Sequence, residues 1–353
     1  MIGALLGILC GALFGFVLQR GRVCFSSAFS DLYLSKDNYI IKAGLLAIAL
    51  TAIGFMLLAQ FGLIKLAPSA LNWGGVSVGG YLFGVGMVLA GGCAGGMTSR
   101  IGEGSTTHIV AGLVYGLSAW SASSGVLKPL KSWANGMKVI VRNVDPKYFV
   151  SDEGTAIGPS LSNMFNINPW IPTLVFAIII LVCLFAVKTT KRDGVNLKWW
   201  VIGVALTAVN MLTYFLSAQF AQRQYGLGIT AGWINILKTW TSADSGAEAA
   251  PTLNFAGGIV IGVISGAFIS AMIRKEFKWR VPKSGKDYAY AVIGGMLAGF
   301  GANFAGGCSI GHFLTGSSLL SLSSFIASLF FLLGNWTMTR IIYGSPVGDH
   351  WSN

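Results

Sequence analysis

Residues 78–96 read VGGYLFGVGMVLAGGCAGG, and residues 293–311 read IGGMLAGFGANFAGGCSIG. At an offset of 215, ten of the nineteen positions are identical, including all of Ala90-Gly91-Gly92-Cys93 against Ala305-Gly306-Gly307-Cys308. Each copy carries glycines four apart (Gly80 and Gly84; Gly295 and Gly299), a spacing that lets helices approach closely. A double glycine that breaks a helix follows, and then a thiol. A polar stretch and a second short apolar segment come after it. Each copy is therefore expected to be a broken helix or re-entrant loop whose second piece begins at the cysteine. Its irregular backbone must face protein rather than lipid.

The composition sets that motif in a membrane. Of 353 residues, 54% are hydrophobic and 10% are charged, against about 25% charged in a soluble domain. This excludes an ordinary soluble enzyme, a disordered chain and a disulfide-rich secreted domain. The 48 glycines are roughly double the usual ~7% share. Five scattered cysteines (Cys10, Cys24, Cys93, Cys183 and Cys308) make a poor disulfide framework. No Asp, Glu, Lys or Arg interrupts the chain between Lys65 and Arg100, or between Asp287 and Arg340. A span needs about 20 apolar residues, so both runs are too long for one uninterrupted helix.

Hydropathy gives nine spans, near 2–18, 42–62, 74–91, 106–127, 169–188, 199–218, 254–273, 287–305 and 321–341. The first has no basic residues ahead of it and reads as a transmembrane helix, not a cleaved signal. Trp73, Trp120, Trp170, Trp199, Trp200, Trp240 and Trp336 fall at or near the ends, as interfacial aromatics do. The expected fold is an all-α polytopic membrane protein of about nine transmembrane helices. It has an inverted internal repeat, and its re-entrant loops meet at the centre. Residues 1–127 form the first half and 199–353 the second. Residues 128–198 form a basic connecting segment with the central span. A weaker echo pairs RGRVCFSSAF at 20–29 with YGLGITAGWI at 225–234, which sets Ile229 opposite Cys24.

Basic residues orient the chain. The segment 274–286 holds six Lys/Arg and 188–198 holds four, so both are expected in the cytoplasm. That leaves the amino terminus outside and the carboxyl terminus inside. The long segment 128–168, with Lys128, Lys131, Lys138, Arg142 and Lys147, opposes this count, but long loops weigh less. It reads as a solvated basic surface helix followed by a loop.

The chemistry follows from residue types. A helix N-terminus presents unpaired N–H groups and the positive end of the dipole. Gly91, Gly92, Gly306 and Gly307 let the backbone come close to an anion. A thiol adds a weak donor and a polarizable sulfur, which suits a sulfur-bearing anion better than chloride or phosphate. Cys93 and Cys308, repeated in one motif, are the leading residues. Cys24, beside Ser26 and Ser27, joins them. Cys10 and Cys183, mid-span among Leu, Ile and Phe, read as small buried hydrophobes. Arg100, Glu103, His108 and His312 lie near the cysteine loops. Arg100 and Glu103, three apart, are spaced to pair on one helix face. His312 is four residues after Cys308 and is the stronger candidate for a part in transport.

GFVLQRGRVCFSSAFSDLYLSKDNYI at 15–40, GGYLFGVGMVLAGGCAGG at 79–96 and AGGCSIGHFLTG at 305–316 resemble the YeeE/YedE family of bacterial inner-membrane proteins. The resemblance implies a multi-pass thiosulfate uptake transporter, not an enzyme, shaped like an hourglass. It implies that the ion passes unchanged along three thiols, here Cys24, Cys93 and Cys308, through successive S–H···S hydrogen bonds. A small cytoplasmic sulfurtransferase-like protein is the partner it suggests. GITAGW at 228–233 and FLTG at 313–316 are similar to a branch linked to selenium, so a selenium species is an alternative cargo. The resemblance does not reach 128–168. Two further readings compete: a membrane thiol oxidoreductase, for which CxxC and paired His ligands are missing, and a soft-metal channel, for which Met87, Met97 and His312 form no repeated motif. No P-loop occurs, so ATP drive within the chain is not expected. Thiosulfate and the lipid bilayer are the expected contacts, with no nucleic acid, cofactor or resident metal.

Overall fold

A computed structural model describes residues 2–124, 129, 138–139, 145, 147–150, 158–190, 192, 197–241 and 252–344. The chain is an all-α polytopic membrane protein. Helices α1 (Ile2–Gly21), α2 (Phe25–Leu34), α3 (Tyr39–Gln60), α4 (Trp73–Leu89), α5 (Ala94–Gly102) and α6 (Thr106–Ser124) come first. Then follow α7 (Leu161–Phe165), α8 (Trp170–Ala186), α9 (Trp199–Ala221), α10 (Thr230–Thr241), α11 (Phe255–Ile273) and α12 (Gly285–Ala305). A π-helical turn (Ile310–Gly316) and α13 (Leu322–Tyr343) close the described chain. One two-residue antiparallel ladder joins Leu71–Asn72 to Lys138–Val139. Of the basic segment, Lys128, Lys131 and Arg142 lie outside the described residues, as does the Lys138 side chain.

Helices lie at all nine expected positions, but they differ in length and polarity. Among the described residues six stretches are long and apolar enough to cross a bilayer: Ile2–Leu34, Tyr39–Gln60, Trp73–Gly102, Trp199–Ala221, Phe255–Ile273 and Leu322–Tyr343. The pair Gly285–Ala305 and Ile310–Gly316, bent by 42°, makes a seventh if read as one span. The other two positions fall short for separate reasons. Thr106–Ser124 carries His108 and a run of Thr and Ser, and Trp170–Ala186 is 17 residues long. On α8 the large apolar residues Ile171, Val175, Ile178, Ile179 and Val182 are exposed, as a lipid-facing helix requires.

Two glycine seams hold the centre. In the first, α1 and α11 run parallel. A Cβ on Gly7, Gly11 or Gly15 would lie 2.1–2.2 Å from the carbonyl oxygen of Phe255, Ile259 or Val263. Gly258, Gly262 and Gly266 face Ala4, Ile8 and Ala12 in the same way. In the second seam, α4 and α12 run antiparallel, and two of the closest contacts occur twice. Gly79 meets the Ala305 amide and Gly294 the Ala90 amide, while Gly86 meets the Ala298 amide and Gly301 the Phe83 amide. On the far side of this pair, Gly84 abuts the Phe331 carbonyl on α13, and Gly299 abuts the Tyr115 carbonyl on α6. In lipid no hydrophobic force draws helices together, so such backbone-to-backbone packing supplies the attraction.

Candidate functional site

Each GGC motif makes a turn at the end of one seam helix. Gly91 and Gly306, equivalent in the two copies, have φ of +71° and +90°, a conformation that favours glycine. Beyond the first turn, Cys93 caps α5, its sulfur accepting from the Gly96 amide at 3.4 Å. Beyond the second, the His312 amide donates to the Cys308 carbonyl at 2.8 Å and starts the π-helical turn. Cys24 caps α2 from an extended backbone (φ −143°, ψ 118°). Trp233 on α10 steadies α5 by donating to Thr98 Oγ1 at 3.0 Å.

The three candidate cysteines are nearly inaccessible, at 4% (Cys24), 1% (Cys93) and 1% (Cys308). Cys24 Sγ and Cys93 Sγ are 4.0 Å apart. This approach needs Gly96, whose Cβ would lie 2.6 Å from Cys24 Sγ. The buried hydroxyl of Ser309, the residue after Cys308, lies against the Cys93 thiol. Cys10 is buried and Cys183 is exposed, and neither borders a cavity next to the GGC turns.

Two cavities flank these thiols. One, of about 270 Å³, is lined by Cys24, Gly96, Ser99, Arg100, His108 and Arg280, among others. The second, of about 210 Å³, is lined by Ser69, Arg223, Tyr225, Ile229, Thr230 and Cys308, among others. They lie toward opposite ends of α1. Its start packs on the end of α9 beside Arg223, with Gly3 against Phe220 and Ala221. Just past its end, Arg22 pairs with Glu276 at 3.4 Å. A 20-residue helix separates these points by about 30 Å. Between the cavities the buried side chains of Leu18 and Ile310 close over Gly95. Ile229 borders the second cavity as Cys24 borders the first.

The charged candidates sort differently from their order in sequence. Glu103 pairs with Arg280 at 3.4 Å and not with Arg100, its neighbour on α5. Arg100 instead donates to the Gly91 carbonyl and lies 3.3 Å from His108 Nε2. His108 Nδ1 is 2.7 Å from Ser105 Oγ. His312 is fully buried and does not line the second cavity. Its Nε2 reaches the Ala305 carbonyl at 3.0 Å and its Nδ1 the Ser324 hydroxyl at 2.9 Å. It braces the Gly306-Gly307 turn from behind. His312→Ala removes both bonds and leaves two buried polar groups unpaired, so a loss of about 2–4 kcal/mol is expected. A fall in melting temperature checks this, and an unshifted melt would contradict the bracing role.

Sequence reading missed three contributors: Gly96, Ser309 and Arg223. The first two sit inside or beside the repeat, and their role depends on which side chain the fold brings opposite them. Arg223 bonds the Gly226 carbonyl at 3.3 Å and lies 5.4 Å from the centre of the Tyr225 ring. It forms no carboxylate pair among the described residues. Asn210 fixes this wall, its Oδ1 accepting from the Leu227 amide at 3.0 Å and from Thr315 Oγ1 at 3.1 Å. Arg223 and the Cys308 thiol line the same cavity, a juxtaposition that the Arg-Gln-Tyr-Gly run does not reveal until the fold is known. Among the described residues no group of three or more His, Cys, Asp or Glu is arranged to hold a metal ion.

Comparison with known proteins places the chain in a family. Residues 20–337 match the family model described as sulphur transport. The chain is 45% identical to the thiosulfate transporter TsuA of Spirochaeta thermophila, covering 96% of this chain and 98% of that protein. It is 31% identical to the thiosulfate transporter TsuA of Escherichia coli K12, covering 96% of this chain and 95% of that protein. A shorter likeness, 40% over 110 residues, joins 31% of this chain to 26% of the probable transporter YedE of Salmonella typhimurium. With two cavities separated by buried thiols, and a family match over nearly its whole length, this chain belongs to the sulphur transport family.

Proposed function

We propose that this protein carries thiosulfate across the membrane unchanged, by way of Cys308, Cys93 and Cys24. The observation that carries the reading is the line of buried sulfur between two cavities. Cys308 borders one cavity, Cys24 borders the other, and Cys93 is 4.0 Å from Cys24 with Ser309 beside it. The full-length likeness to two thiosulfate transporters supplies the cargo. Chemically, the terminal sulfur of the ion accepts weak S–H hydrogen bonds while the N-termini of α2 and α5 offset its charge. The thiols remain protonated, because a thiolate would repel a dianion.

The reading includes nine spans, two inverted halves (1–127 and 199–353) joined by 128–198, and loops that dip to the centre. The paired contacts of the α4–α12 seam support the two halves. The cluster of Arg22, Arg274, Lys275, Lys278 and Arg280 supports a cytoplasmic face for the Cys24 cavity. The amino terminus is then outside, the carboxyl terminus in the cytoplasm, and the Cys308 cavity is the entrance. A bacterial inner membrane and a sulfurtransferase-like acceptor of the released ion complete it.

Growth of a sulfur-auxotrophic host on thiosulfate or sulfite, and uptake of radiolabelled selenite, each with and without the protein, test the cargo. Growth on thiosulfate alone is expected, and selenite uptake without thiosulfate growth would replace the cargo with a selenium species. Single replacements of Cys24, Cys93 and Cys308 by serine are each expected to cut uptake strongly. Full activity in all three would sink the thiol line. A Cys93 persulfide found during turnover would favour the oxidoreductase, since the close Cys24–Cys93 pair also suits sulfur exchange. Arg223→Gln is expected to raise the KM for uptake about tenfold, the size of one lost charge-assisted contact, with the saturated rate little changed. An unaltered KM would remove Arg223 from capture.

A further inference from the structure

Among the described residues the larger cavity has more cations than anions. Arg22, Arg100 and Arg280 line it against one carboxylate, Glu103. Arg280 pairs with Glu103, and Arg22 with Glu276, each at 3.4 Å. Both of these side chains are about half exposed. Arg100 has no carboxylate partner among the described residues. Its guanidinium is instead held in place by the Gly91 carbonyl and by His108, 3.3 Å away. His108 in turn is anchored on its other side, its Nδ1 2.7 Å from Ser105 Oγ. These bonds leave the remaining N–H groups of a planar fork, which matches the oxygens of a tetrahedral anion. The Cys24 thiol lines the same cavity.

We propose that Arg100 is the centre of a second anion site, which binds a sulfur oxodianion through its oxygens on the open side of Cys24. His108 is its positioning residue. Its part as a release station, where the guanidinium draws the ion off the last thiol, rests on the thiosulfate reading above. Binding of the dianion does not. The same chemistry admits sulfate already present on that side, so sulfate competes with the ion that is leaving.

The test is protection of Cys24 in inside-out membrane vesicles, with labelling by N-ethylmaleimide followed on the Cys24 peptide by mass spectrometry. Sulfate is the probe. It shares the oxygens and charge of thiosulfate but lacks the nucleophilic sulfur that could consume the reagent. At several times its dissociation constant it is expected to slow labelling about fivefold, by simple occupancy. Chloride at matched ionic strength leaves the rate unchanged, and R100Q loses the sulfate effect. R22Q, whose side chain is exposed and paired with Glu276, keeps it. Unslowed labelling in the wild type, equal slowing by chloride, or protection that survives R100Q overturns the site. If R100Q does not fold, loss of protection in R22Q overturns the assignment to Arg100 just as well. Unchanged labelling of Cys308 from the opposite face reports that the variants are folded. In a second arm, sulfate loaded on the Arg100 side slows thiosulfate uptake in the wild type and not in R100Q, which identifies sulfate from that side as a ligand. Absence of all uptake overturns the transport reading and leaves the labelling result standing.

Discussion

Gly96→Ala lowers thiosulfate uptake by about 10²-fold, a loss that a displacement of about 1 Å can cause at a site set by geometry, while the protein stays folded. The new Cβ would stand 2.6 Å from Cys24 Sγ, 3.3 Å from Cys24 Cβ and 3.6 Å from Cys93 Sγ. Alanine is a better helix former than glycine, so α5 itself gains. The whole conflict falls on one thiol. Cys24 has a single side-chain torsion and relieves the clash by swinging out of line with Cys93. The prediction therefore separates function from stability. Initial uptake rates collapse, and the thermal melt moves by a few degrees at most. Gly95→Ala is the control on the same helix, since its Cβ meets the flexible Ile310 side chain at 3.1 Å. Wild-type uptake in Gly96→Ala would mean that the spacing of the two thiols does not matter.

Gly266→Leu abolishes the folded protein. A Cβ at Gly266 would stand 1.9 Å from the Ala12 carbonyl oxygen and 2.6 Å from its Cα. These are backbone atoms in the middle of α1, so no side chain can swing away. The helices must separate, and the paired contacts of Gly262 with Ile8 and of Gly258 with Ala4 are lost with them. Overpacking alone costs about 1–3 kcal/mol. Loss of the seam adds to that and exceeds the margin of a typical protein once several contacts go together. Detergent-solubilised variant is expected to run as aggregate on size exclusion. Gly285→Ala, where nothing lies within 4 Å, should stay within about 0.5 kcal/mol of wild type. A monodisperse Gly266→Leu with an ordinary melt would show that the α1–α11 seam does not hold the centre.

Much of the site could be read in the chain because its signals are local. The double glycine ahead of each thiol ends its helix because Gly91 and Gly306 take a left-handed φ, whereas Gly79-Gly80 and Gly294-Gly295 stay helical, so it is the whole Ala-Gly-Gly-Cys motif that marks the break. Hence the ends of α4 and α12, and the starts at Ala94 and Ile310, follow from the repeated motif. Arg100 shows where local reasoning ends. Glu103 is its helix neighbour, yet Glu103 bonds Arg280, 177 positions away. His312 has the spacing of a cavity-lining residue, but the π-helical turn aims its ring back at Ala305 and Ser324. Trp336, half-buried on α13, donates to the Phe29 carbonyl at 2.9 Å, a partner 307 positions away.

The sequence by itself determined a membrane-embedded all-α chain, its family, its repeated glycine-thiol motif and the glycine spacings along each helix. Those properties rest on transfer of side chains to lipid and on backbone sterics, which act over a few residues. Only the tertiary structure decided which helix each glycine row would meet, that Cys24 and Cys93 would come within 4.0 Å, and that Arg100 and Arg223 would line separate cavities with no carboxylate partner among the described residues. Those outcomes depend on pairings between residues up to some 250 positions apart, such as Gly7 against Phe255. A helix carries the same glycine face whichever neighbour it meets. The choice of neighbour is made by close packing of all the helices at once.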